Sequence, residues 1–302
     1  MIVIGDIHAK YKEPYLSATY NFFDWLLDNY RDENIIQVGD LFDTASPHAE
    51  VEYRIADYIT QFRSFHILSG NHDQNRRVSN TLLPLQVHDK VFVYTEKTEV
   101  TIEGHSILML PYVENKSYEE IKWEGQYCFL HMTDLQNQFA SEGIDTSKIK
   151  ATKIWGHTHT YSAYDDNIII GVPTKTRHGE SDNKVIEITE NGNINYIDHP
   201  SYFEFETLAY GKFPENKNNI LNIVEAPSRQ AVFETYKDYY IREEGIEVLR
   251  TESDKKSLTL EEIKKTFDGQ NLLIPFTKYN VGAQLKKEVY DDCVSRLQKL
   301  NN

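Results

Sequence analysis

Clusters of side chains that can bind metal recur in the N-terminal part of the sequence, each directly behind a short apolar run. They read GDIH, GDLFD, GNHD and GHTH, and an isolated histidine follows the apolar run QYCFL. Carboxylate, amide oxygen and imidazole are ligands that manganese, iron and zinc accept, and the lack of cysteine in these clusters disfavours a structural zinc site. The clusters hold enough candidates for two metals. The polar residues concerned are Asp6, His8, Asp40, Asp43, Asn71, His72, Asp73, His131, His157 and His159.

A two-metal centre makes further demands that the sequence can meet. Metals about 3.5–4 Å apart need a bridging anion, and one aspartate can offer an oxygen to each. Asp40 lies centrally among the candidates and is the predicted bridge. His157 and His159 alternate, so an extended backbone would direct both side chains to the same side. Glycine also precedes the clusters and would let the backbone approach the centre closely. These glycines are Gly5, Gly39, Gly70 and Gly156.

Strands and helices alternate over the first part of the chain and would bring the clusters together. Apolar runs at 1–4, 34–38 and 65–68 predict three strands, and apolar residues at helical spacing between them predict two helices. The helical positions are Leu16, Tyr20, Phe23 and Leu27, then Val51, Ile55, Ile59 and Phe62. Such alternation is typical of a parallel sheet, beyond whose carboxyl edge ligands gather. The clusters are therefore expected to share one crevice.

Closely spaced strands follow residue 90 and predict antiparallel or mixed pairing. The runs are KVFVYTE, VTIEG, SILMLPY, QYCFLHM, KIWGH, NIIIGVP and KVIEITENGNINYI, and the last contains a predicted hairpin turn at Asn191-Gly192. The pattern changes again after Pro200. We therefore predict two domains, at 1–200 and 201–302.

The second block predicts a small α+β domain. Residues 219–225 predict a strand, 228–243 a helix with Ser228 as its N-cap, and 246–250 another strand. Thr259-Leu-Glu-Glu resembles a capping box that opens a helix. A last helix carries an apolar stripe that could bind a partner or pack on its own domain. The stripe consists of Leu285, Val289, Cys293 and Leu297.

Composition limits the classes of protein that remain. The chain has 302 residues, of which 40% are hydrophobic, so it can bury a sizeable core. Its net charge of -15 argues against a protein that coats nucleic acid through counterion release, although metals and a local basic patch can still hold phosphate. Two cysteines make no disulfide framework, and no membrane span or signal peptide is visible. We expect a cytoplasmic protein.

The clusters, in this chain order, resemble the motifs of the calcineurin-like metallophosphoesterase superfamily over roughly the first two thirds of the chain. The resemblance implies an α/β fold, in which two sheets form a sandwich flanked by helices and followed here by a small capping domain. It implies two divalent metal ions at the strand ends, with Mn²⁺ expected. The implied ligands are Asp6, His8 and His159 for one metal, Asn71, His131 and His157 for the other, and Asp40 between them.

The resemblance gives His72 and Asp43 a catalytic role rather than a ligand role. Two bound metals would activate a water that attacks phosphorus. A protonated His72 would then stabilise the developing charge and donate a proton to the leaving alkoxide. Asp43 occupies the position whose carboxylate favours the imidazolium in phosphatases of this superfamily. Asp73 is the alternative partner, or else a cap or turn carboxylate.

Flanking residues resemble the SbcD and Mre-eleven nucleases, and the short loops resemble phage-encoded members. The relevant stretches are GDLFDTASPHAEVEYRI, LPY and the GVP that follows GHTH. The strand-helix-strand unit after residue 200 is similar to the capping domain that contacts DNA in these nucleases. The implied function is an exonuclease and endonuclease subunit of a DNA repair and recombination complex, located in the host cytoplasm if phage-encoded. The implied partners are DNA, double-stranded ends first and single strands second, an SbcC-type SMC-like ATPase and a second copy of the chain.

The core motifs leave other functions open. A stand-alone metallophosphatase or small-molecule phosphodiesterase could use the same centre, and a non-catalytic scaffold is disfavoured by the complete ligand set. Basic residues behind the motifs could contact a DNA backbone or be solvated loop charges. They are Arg76, Arg77, Lys175 and Arg177. The histidines outside the motifs are interpreted as surface or core residues. They are His48, His66, His88, His105, His178 and His199.

Overall fold

Two β-sheets that pack face to face form the larger part of the structure. The computed structural model describes residues 1–74, 80–113, 121–133, 144–180 and 184–249. The chain divides into two compact units, Met1–Val248 and Leu249–Asn302, and every element below lies in the first unit. Its described part contains two six-stranded sheets, one three-stranded sheet and three α-helices.

The elements have the following bounds. The strands are β1 (Ile2–Ile4), β2 (Asn34–Gln37), β3 (Ser64–Leu68), β4 (Val91–Tyr94), β5 (Thr98–Ile102), β6 (His105–Leu110), β7 (Trp123–Leu130), β8 (Ile149–Trp155), β9 (Ser162–Tyr164), β10 (Asn167–Ile169), β11 (Lys184–Ile188), β12 (Ile194–Asp198), β13 (Phe205–Ala209), β14 (Ile220–Val224) and β15 (Tyr240–Ile241). The helices are α1 (Tyr15–Tyr30), α2 (Ala49–Ile59) and α3 (Arg229–Thr235), with short 3₁₀ segments at Leu83–Val87 and Glu243–Gly245.

The first sheet has the strand order β12-β11-β1-β2-β3-β4 and is parallel from β1 to β4. The predicted alternation of strand and helix is therefore confirmed, because α1 connects β1 to β2 and α2 connects β2 to β3. β11 and β12 form the predicted hairpin, in which Gly192 takes a φ of +79° that favours glycine. Strands β1, β2 and β3 all end at the same edge.

Strands β1, β2 and β3 of the first sheet are buried on both faces, and this explains their continuous apolar runs. Ile2 and Ile4 of β1 belong to the core that contains the α1 residue Phe23. Val3 points to the opposite face and joins a second core with Phe129 of β7. The alternation of side chains along one strand thus serves two layers.

The second sheet has the order β5-β6-β7-β8-β10-β9. It is parallel from β6 through β10, whereas β5 and β9 pair antiparallel to their neighbours, so the predicted mixed pairing is confirmed. The two sheets share one core, and α1 and α2 pack on the outer face of the first sheet. The fold is therefore an α/β sandwich. Among the described residues, no helix is long and apolar enough to cross a membrane.

A third, small sheet follows residue 200 with the order β13-β14-β15, all parallel. The predicted strand at 219–225 is β14, and Ser228 caps α3 by accepting a hydrogen bond from the Ala231 N–H at 3.1 Å. The predicted end of this helix was wrong, because α3 stops at Thr235. Tyr236 is fully buried, its hydroxyl donates to the Lys212 carbonyl, and its backbone at φ -109° and ψ 29° has left the helical conformation.

The second strand of this unit is also displaced from its predicted place. Residues 246–250 were expected to form it, but β15 lies earlier, at Tyr240–Ile241, and Val248 forms only an isolated bridge with Ala226. β13 was missed. The predicted capping box and the Leu285 stripe lie outside the described residues, and the domain boundary near residue 200 stays a prediction.

His66 of β3 is a buried histidine that makes the stability of the fold depend on pH. Its ring is buried, its Nδ1 lies 2.8 Å from the Tyr94 hydroxyl, and it stacks on Phe92. Burial lowers the pKa of His66 to about 4. Below the ordinary histidine pKa of about 6.5, His66 is protonated in the unfolded chain but stays neutral in the folded protein. His66 therefore makes the free energy of unfolding decrease as the pH falls from about 6.5 to about 4.

We predict that His66→Asn removes this contribution. The difference in the free energy of unfolding between the parent protein and the variant should shrink as the pH falls from about 7 to about 4. It should change by at most about 1.4 kcal/mol per pH unit. Urea unfolding at several pH values measures the difference. A difference that stays constant over this range would contradict the prediction.

Candidate metal centre

The structure brings all the predicted site residues to one edge of the sandwich. Each follows a strand, and the strands come from both large sheets. The first sheet supplies Asp6 and His8 behind β1, Asp40 and Asp43 behind β2, and Asn71, His72 and Asp73 behind β3. The second sheet supplies His131 behind β7 and His157 and His159 behind β8.

One group of candidate ligands consists of Asp6, His8 and His159, each of which offers an atom within 4.8 Å of the others. The Nε2 atoms of His8 and His159 are 3.0 Å apart. The Oδ2 atom of Asp6 lies 3.8 Å from Nε2 of His159. These are the three residues that the resemblance to the superfamily assigns to one metal.

A second group consists of Asp40, His131 and His157, again within 4.8 Å of one another. Asn71 belongs with them, because its Oδ1 lies 3.1 Å from Nε2 of His131 and 2.9 Å from Nδ1 of His157. The predicted ligands of the second metal thus also converge.

Asp40 lies between the two groups. Its Oδ2 is 3.7 Å from Nε2 of His8 and 3.2 Å from Nε2 of His131, while its Oδ1 accepts a hydrogen bond from the backbone N–H of His72 at 2.8 Å. One carboxylate oxygen therefore faces donors from both groups. This is the geometry that the predicted bridge requires.

Hydrogen bonds from outside orient two of the histidines. Nδ1 of His131 lies 2.7 Å from the carbonyl oxygen of Val38, so this nitrogen carries a proton and Nε2 is directed at Asp40 and Asn71. Nδ1 of His159 lies 2.6 Å from Oε1 of Glu180 in the same relation. Partners of this kind fix the tautomer of metal-binding histidines. Sequence reasoning missed Glu180, because no motif marks it.

Burial dominates the electrostatics of the centre. It raises the pKa of Asp6 well above the ordinary value, despite the charge of His131, and it lowers the pKa of His8 to about 3 and of His157 to about 4. Burial opposes charge on Asp40 and His131 too, but their mutual attraction prevails, so the pKa of Asp40 falls and that of His131 rises to about 9. Such crowding of buried ionisable groups is typical of functional sites.

The residues fit divalent cations. Asp6 Oδ1 and His8 Nδ1 are buried without a hydrogen-bond partner, although buried polar atoms normally have one. The donors are carboxylate and amide oxygens and imidazole nitrogens, and they lie in close groups around Asp6 and around Asp40, with a further group of His8, Asp43 and His72 beside them. Oxygen and nitrogen ligands of this kind suit manganese, iron or zinc.

Glycines and unusual backbone angles allow this crowding. A Cβ atom at Gly39 would lie 2.0 Å from Nδ1 of His131, and one at Gly70 would lie 2.0 Å from Oδ1 of Asp40. His8 and Asp40 themselves adopt positive φ angles of 48° and 52°. Backbone strain of this kind costs about 1–3 kcal/mol per residue and clusters at functional sites. The close approach predicted for the motif glycines is confirmed at these positions.

Comparison with known proteins identifies the family of the chain. The family model for calcineurin-like phosphoesterases matches residues 1–161. The chain belongs to this family. A solved structure of an archaeal phosphodiesterase is similar to this phosphoesterase, with 16% sequence identity and a TM-score of 0.40, over 66% of this chain and 100% of that chain. Comparison with curated protein sequences gives no match.

Asp43 and His72, the predicted catalytic pair of the phosphoesterase, lie together with His8, and a carboxylate oxygen of Asp43 is within 4.8 Å of a ring nitrogen of each histidine. Nδ1 of His72 lies 2.6 Å from the backbone carbonyl of Asp43 and donates to it. The carboxylate of Asp43 also lies 3.6 Å from Nζ of Lys10 and 3.7 Å from Nδ1 of His8. Asp43 therefore orients the imidazole of His72 through its main chain, which every residue type possesses.

Asp73 fits the alternative interpretation as a turn carboxylate. It is fully buried and accepts hydrogen bonds from the backbone N–H groups of Gly70 at 2.9 Å and Phe42 at 3.3 Å. Burial raises its pKa to about 7. Asp73 thus joins the loop behind β2 to the loop behind β3, and its carboxylate is not the partner of His72.

A cavity of about 570 Å³ opens over the centre. Asp40, Asn71, His72, His157 and His159 form its floor together with three threonines, and the segment 177–180 forms a wall. The cavity is lined by Asp40, Asn71, His72, Thr133, His157, Thr158, His159, Thr160, Arg177, His178, Gly179 and Glu180.

The basic and histidine residues outside the motifs divide into several groups. Lys175 pairs with Glu204, whereas Arg177 and His178 reach the cavity, so the interpretation of His178 as an ordinary surface or core residue is incomplete. His48 caps α2 by accepting a hydrogen bond from the Glu50 N–H. His66, His105 and His199 are buried outside the centre. Arg76 and Arg77 lie outside the described residues.

We predict that divalent metal stabilises the phosphoesterase and that Asp40 is central to this effect. A ligand that binds only the folded state adds about 2.7 kcal/mol to the free energy of unfolding at 100 times its Kd. Asp40→Asn removes the charge that both groups share, so the variant should lose most of the gain. Asp166→Asn, which removes a carboxylate paired with Lys153, should keep it.

Urea unfolding of metal-free protein with increasing Mn²⁺ measures the gain. Equal stabilisation of the Asp40→Asn variant and the parent would contradict a shared carboxylate. A parent protein that divalent metal does not stabilise would contradict the metal centre itself.

Proposed function

We propose that this phosphoesterase is a manganese-dependent DNA nuclease, the exonuclease and endonuclease subunit of an SbcCD-like complex that processes DNA ends in repair and recombination. The observation that carries the proposal is the convergence of two ligand groups on Asp40 with His72 beside them in an open cavity. The family establishes a metal-dependent phosphoester hydrolase. The SbcD-like stretches around GDLFD and GHTH support DNA as the substrate.

The side chains of the centre have distinct chemical roles in this proposal. Two divalent cations, when bound, supply an activated water and offset negative charge on the phosphoryl group. The bond to the Asp43 carbonyl occupies Nδ1 of His72, so Nε2 is the ring nitrogen left for substrate. A protonated His72 donates this Nε2 proton to the leaving alkoxide.

A second cleft beside the centre supports a substrate longer than one phosphate. This cleft has a volume of about 650 Å³ and shares Arg177 and His178 with the cavity over the metal centre. Its other lining residues include Lys12, Tyr15 and Arg242. Arginine and lysine bind the phosphates of a nucleic-acid backbone, and aromatic rings stack on bases.

A phosphatase or small-molecule phosphodiesterase on the same centre is the second candidate. Net charge favours it, because a chain of charge -15 gains little from general attraction to DNA. Glu13, Glu243 and Glu244 also line the second cleft and offset its basic residues. The choice between the two candidates depends on the substrate, since the chemistry at phosphorus is shared.

The remaining elements of the proposal come from the sequence resemblance. The phosphoesterase would work as a homodimer with an SbcC-type ATPase, in the cytoplasm of its cell or of a phage host. The apolar stripe at 285–297 is the candidate contact for the ATPase, and it lies outside the described residues.

We predict that purified protein with Mn²⁺ degrades end-labelled linear duplex DNA and that His72→Ala lowers the rate by about 100- to 10,000-fold, the usual contribution of a general acid. The rate of hydrolysis of bis(p-nitrophenyl) phosphate should fall much less in this variant, because p-nitrophenolate leaves without a proton. The assay measures the rate of hydrolysis of four substrates, which are duplex DNA, bis(p-nitrophenyl) phosphate, single-stranded DNA and p-nitrophenyl phosphate. His88→Ala, outside the cavity lining, is the matched control.

The outcomes separate the candidates. Hydrolysis of p-nitrophenyl phosphate with intact DNA would contradict the nuclease proposal and favour a phosphatase. Equal losses on DNA and on the activated diester would contradict the role of His72 as proton donor. A loss in His88→Ala equal to that in His72→Ala would show that the effect is not specific to the site.

A further inference from the structure

The Glu180 carboxylate connects the metal centre to the wall of the cavity. Its side chain is only 8% exposed. Oε1 accepts a hydrogen bond from Nδ1 of His159 at 2.6 Å and one from the Thr176 hydroxyl at 3.0 Å. Oε2 accepts from the backbone N–H groups of Thr176 at 2.6 Å and Arg177 at 2.8 Å. One carboxylate thus contacts both a candidate ligand and the segment that begins at Thr176.

The contact with His159 acts on a candidate ligand. A histidine that donates Nδ1–H to a carboxylate is held in one tautomer and one ring orientation, and its Nε2 becomes a stronger ligand. Nε2 of His159 points to His8 and Asp6. Glu180 is therefore in the position of an outer partner for this group of ligands.

The contacts with Thr176 and Arg177 act on the cavity wall. Arg177 and His178 line both the cavity over the centre and the second cleft, so the segment 176–179 borders both spaces. Main-chain hydrogen bonds to one buried carboxylate fix where this segment runs. A shift of the carboxylate would move the segment together with the imidazole of His159.

We propose that Glu180 is a positioning residue that sets Nε2 of His159 for a metal ion and, through the same carboxylate, couples metal binding to the placement of the segment 176–179. The inference depends on the metal centre alone and holds whether DNA or a small phosphoester is the substrate. Because coupling between two sites is reciprocal, metal at His159 should order the segment, and a displaced segment should weaken the metal.

Glu180→Gln tests the proposal with little change in shape. The amide keeps one oxygen to accept from the backbone but loses the charge and the second acceptor. Calorimetric titration of metal-free protein with Mn²⁺ should show one binding event weakened by about 10- to 100-fold, the usual effect of losing an outer partner, and the other event unchanged. Glu204→Gln is the matched control, because this carboxylate pairs with Lys175, which directly precedes the segment, and not with a candidate ligand.

Hydrogen exchange over residues 174–180 gives a second readout that does not depend on activity. Mn²⁺ should slow exchange of this peptide in the parent protein and in Glu204→Gln, but not in Glu180→Gln. Circular dichroism and urea unfolding of the metal-free variants check that the fold is kept. Glu180→Asp serves if the glutamine variant does not fold, because it keeps the charge but is too short to keep the 2.6 Å contact.

Each result bears on the proposal. Weaker Mn²⁺ binding in Glu180→Gln or in Glu180→Asp, together with the loss of metal-dependent protection, would support it. Unchanged Mn²⁺ affinity in the variant that folds would overturn it, as would equal weakening in Glu204→Gln. Loss of affinity without any change in exchange at 174–180 would overturn the coupling. If the protein does not degrade DNA but the Mn²⁺ binding results are as expected, only the proposed substrate is contradicted.

Discussion

One buried carboxylate has to face two groups of ligands at once, and the surrounding chain is arranged to permit it. Oδ2 of Asp40 lies between His8 and His131, and Oδ1 accepts a hydrogen bond from the backbone N–H of His72. Its carbonyl accepts the N–H groups of Ile7 and His8, so the loop behind β1 is held against the loop behind β2. A carboxylate so far from water needs compensating charge, since burial otherwise favours its neutral form. The convergent histidines, and a cation when bound, provide that charge.

The two sheets meet this demand jointly. The first sheet supplies both carboxylates, one histidine and the amide, while His131, His157 and His159 come from the second sheet. The apolar layer between the sheets, with Val3 on one side and Phe129 on the other, sets the distance across which these groups meet. Neither sheet holds a full set of ligands alone. Metal affinity and the packing of the sandwich are therefore linked, as for any ligand that binds only the folded state.

Sequence reasoning predicted that these residues come together because each is tied to a strand end, and strand ends follow from apolar runs and glycine. It failed where tertiary contacts decide. Glu180 sits in a loop without periodicity, and only the folded structure brings it to His159 and to the main chain of Thr176 and Arg177. The hydrogen bond from His72 goes to the carbonyl of Asp43, and a carbonyl leaves no trace in residue type. The early end of α3 comes from the buried ring of Tyr236, which local propensity cannot reveal.

The motif glycines restrict how such a protein can diverge. At Gly39 and Gly70 the space that a methyl group would need is already filled by His131 and by Asp40. A ligand can be exchanged for another that binds metal, and the centre would survive in altered form. A glycine at these positions cannot be exchanged without displacing a ligand first. During evolution the chain can therefore change the metal it prefers more readily than it can change the backbone path beneath the metal.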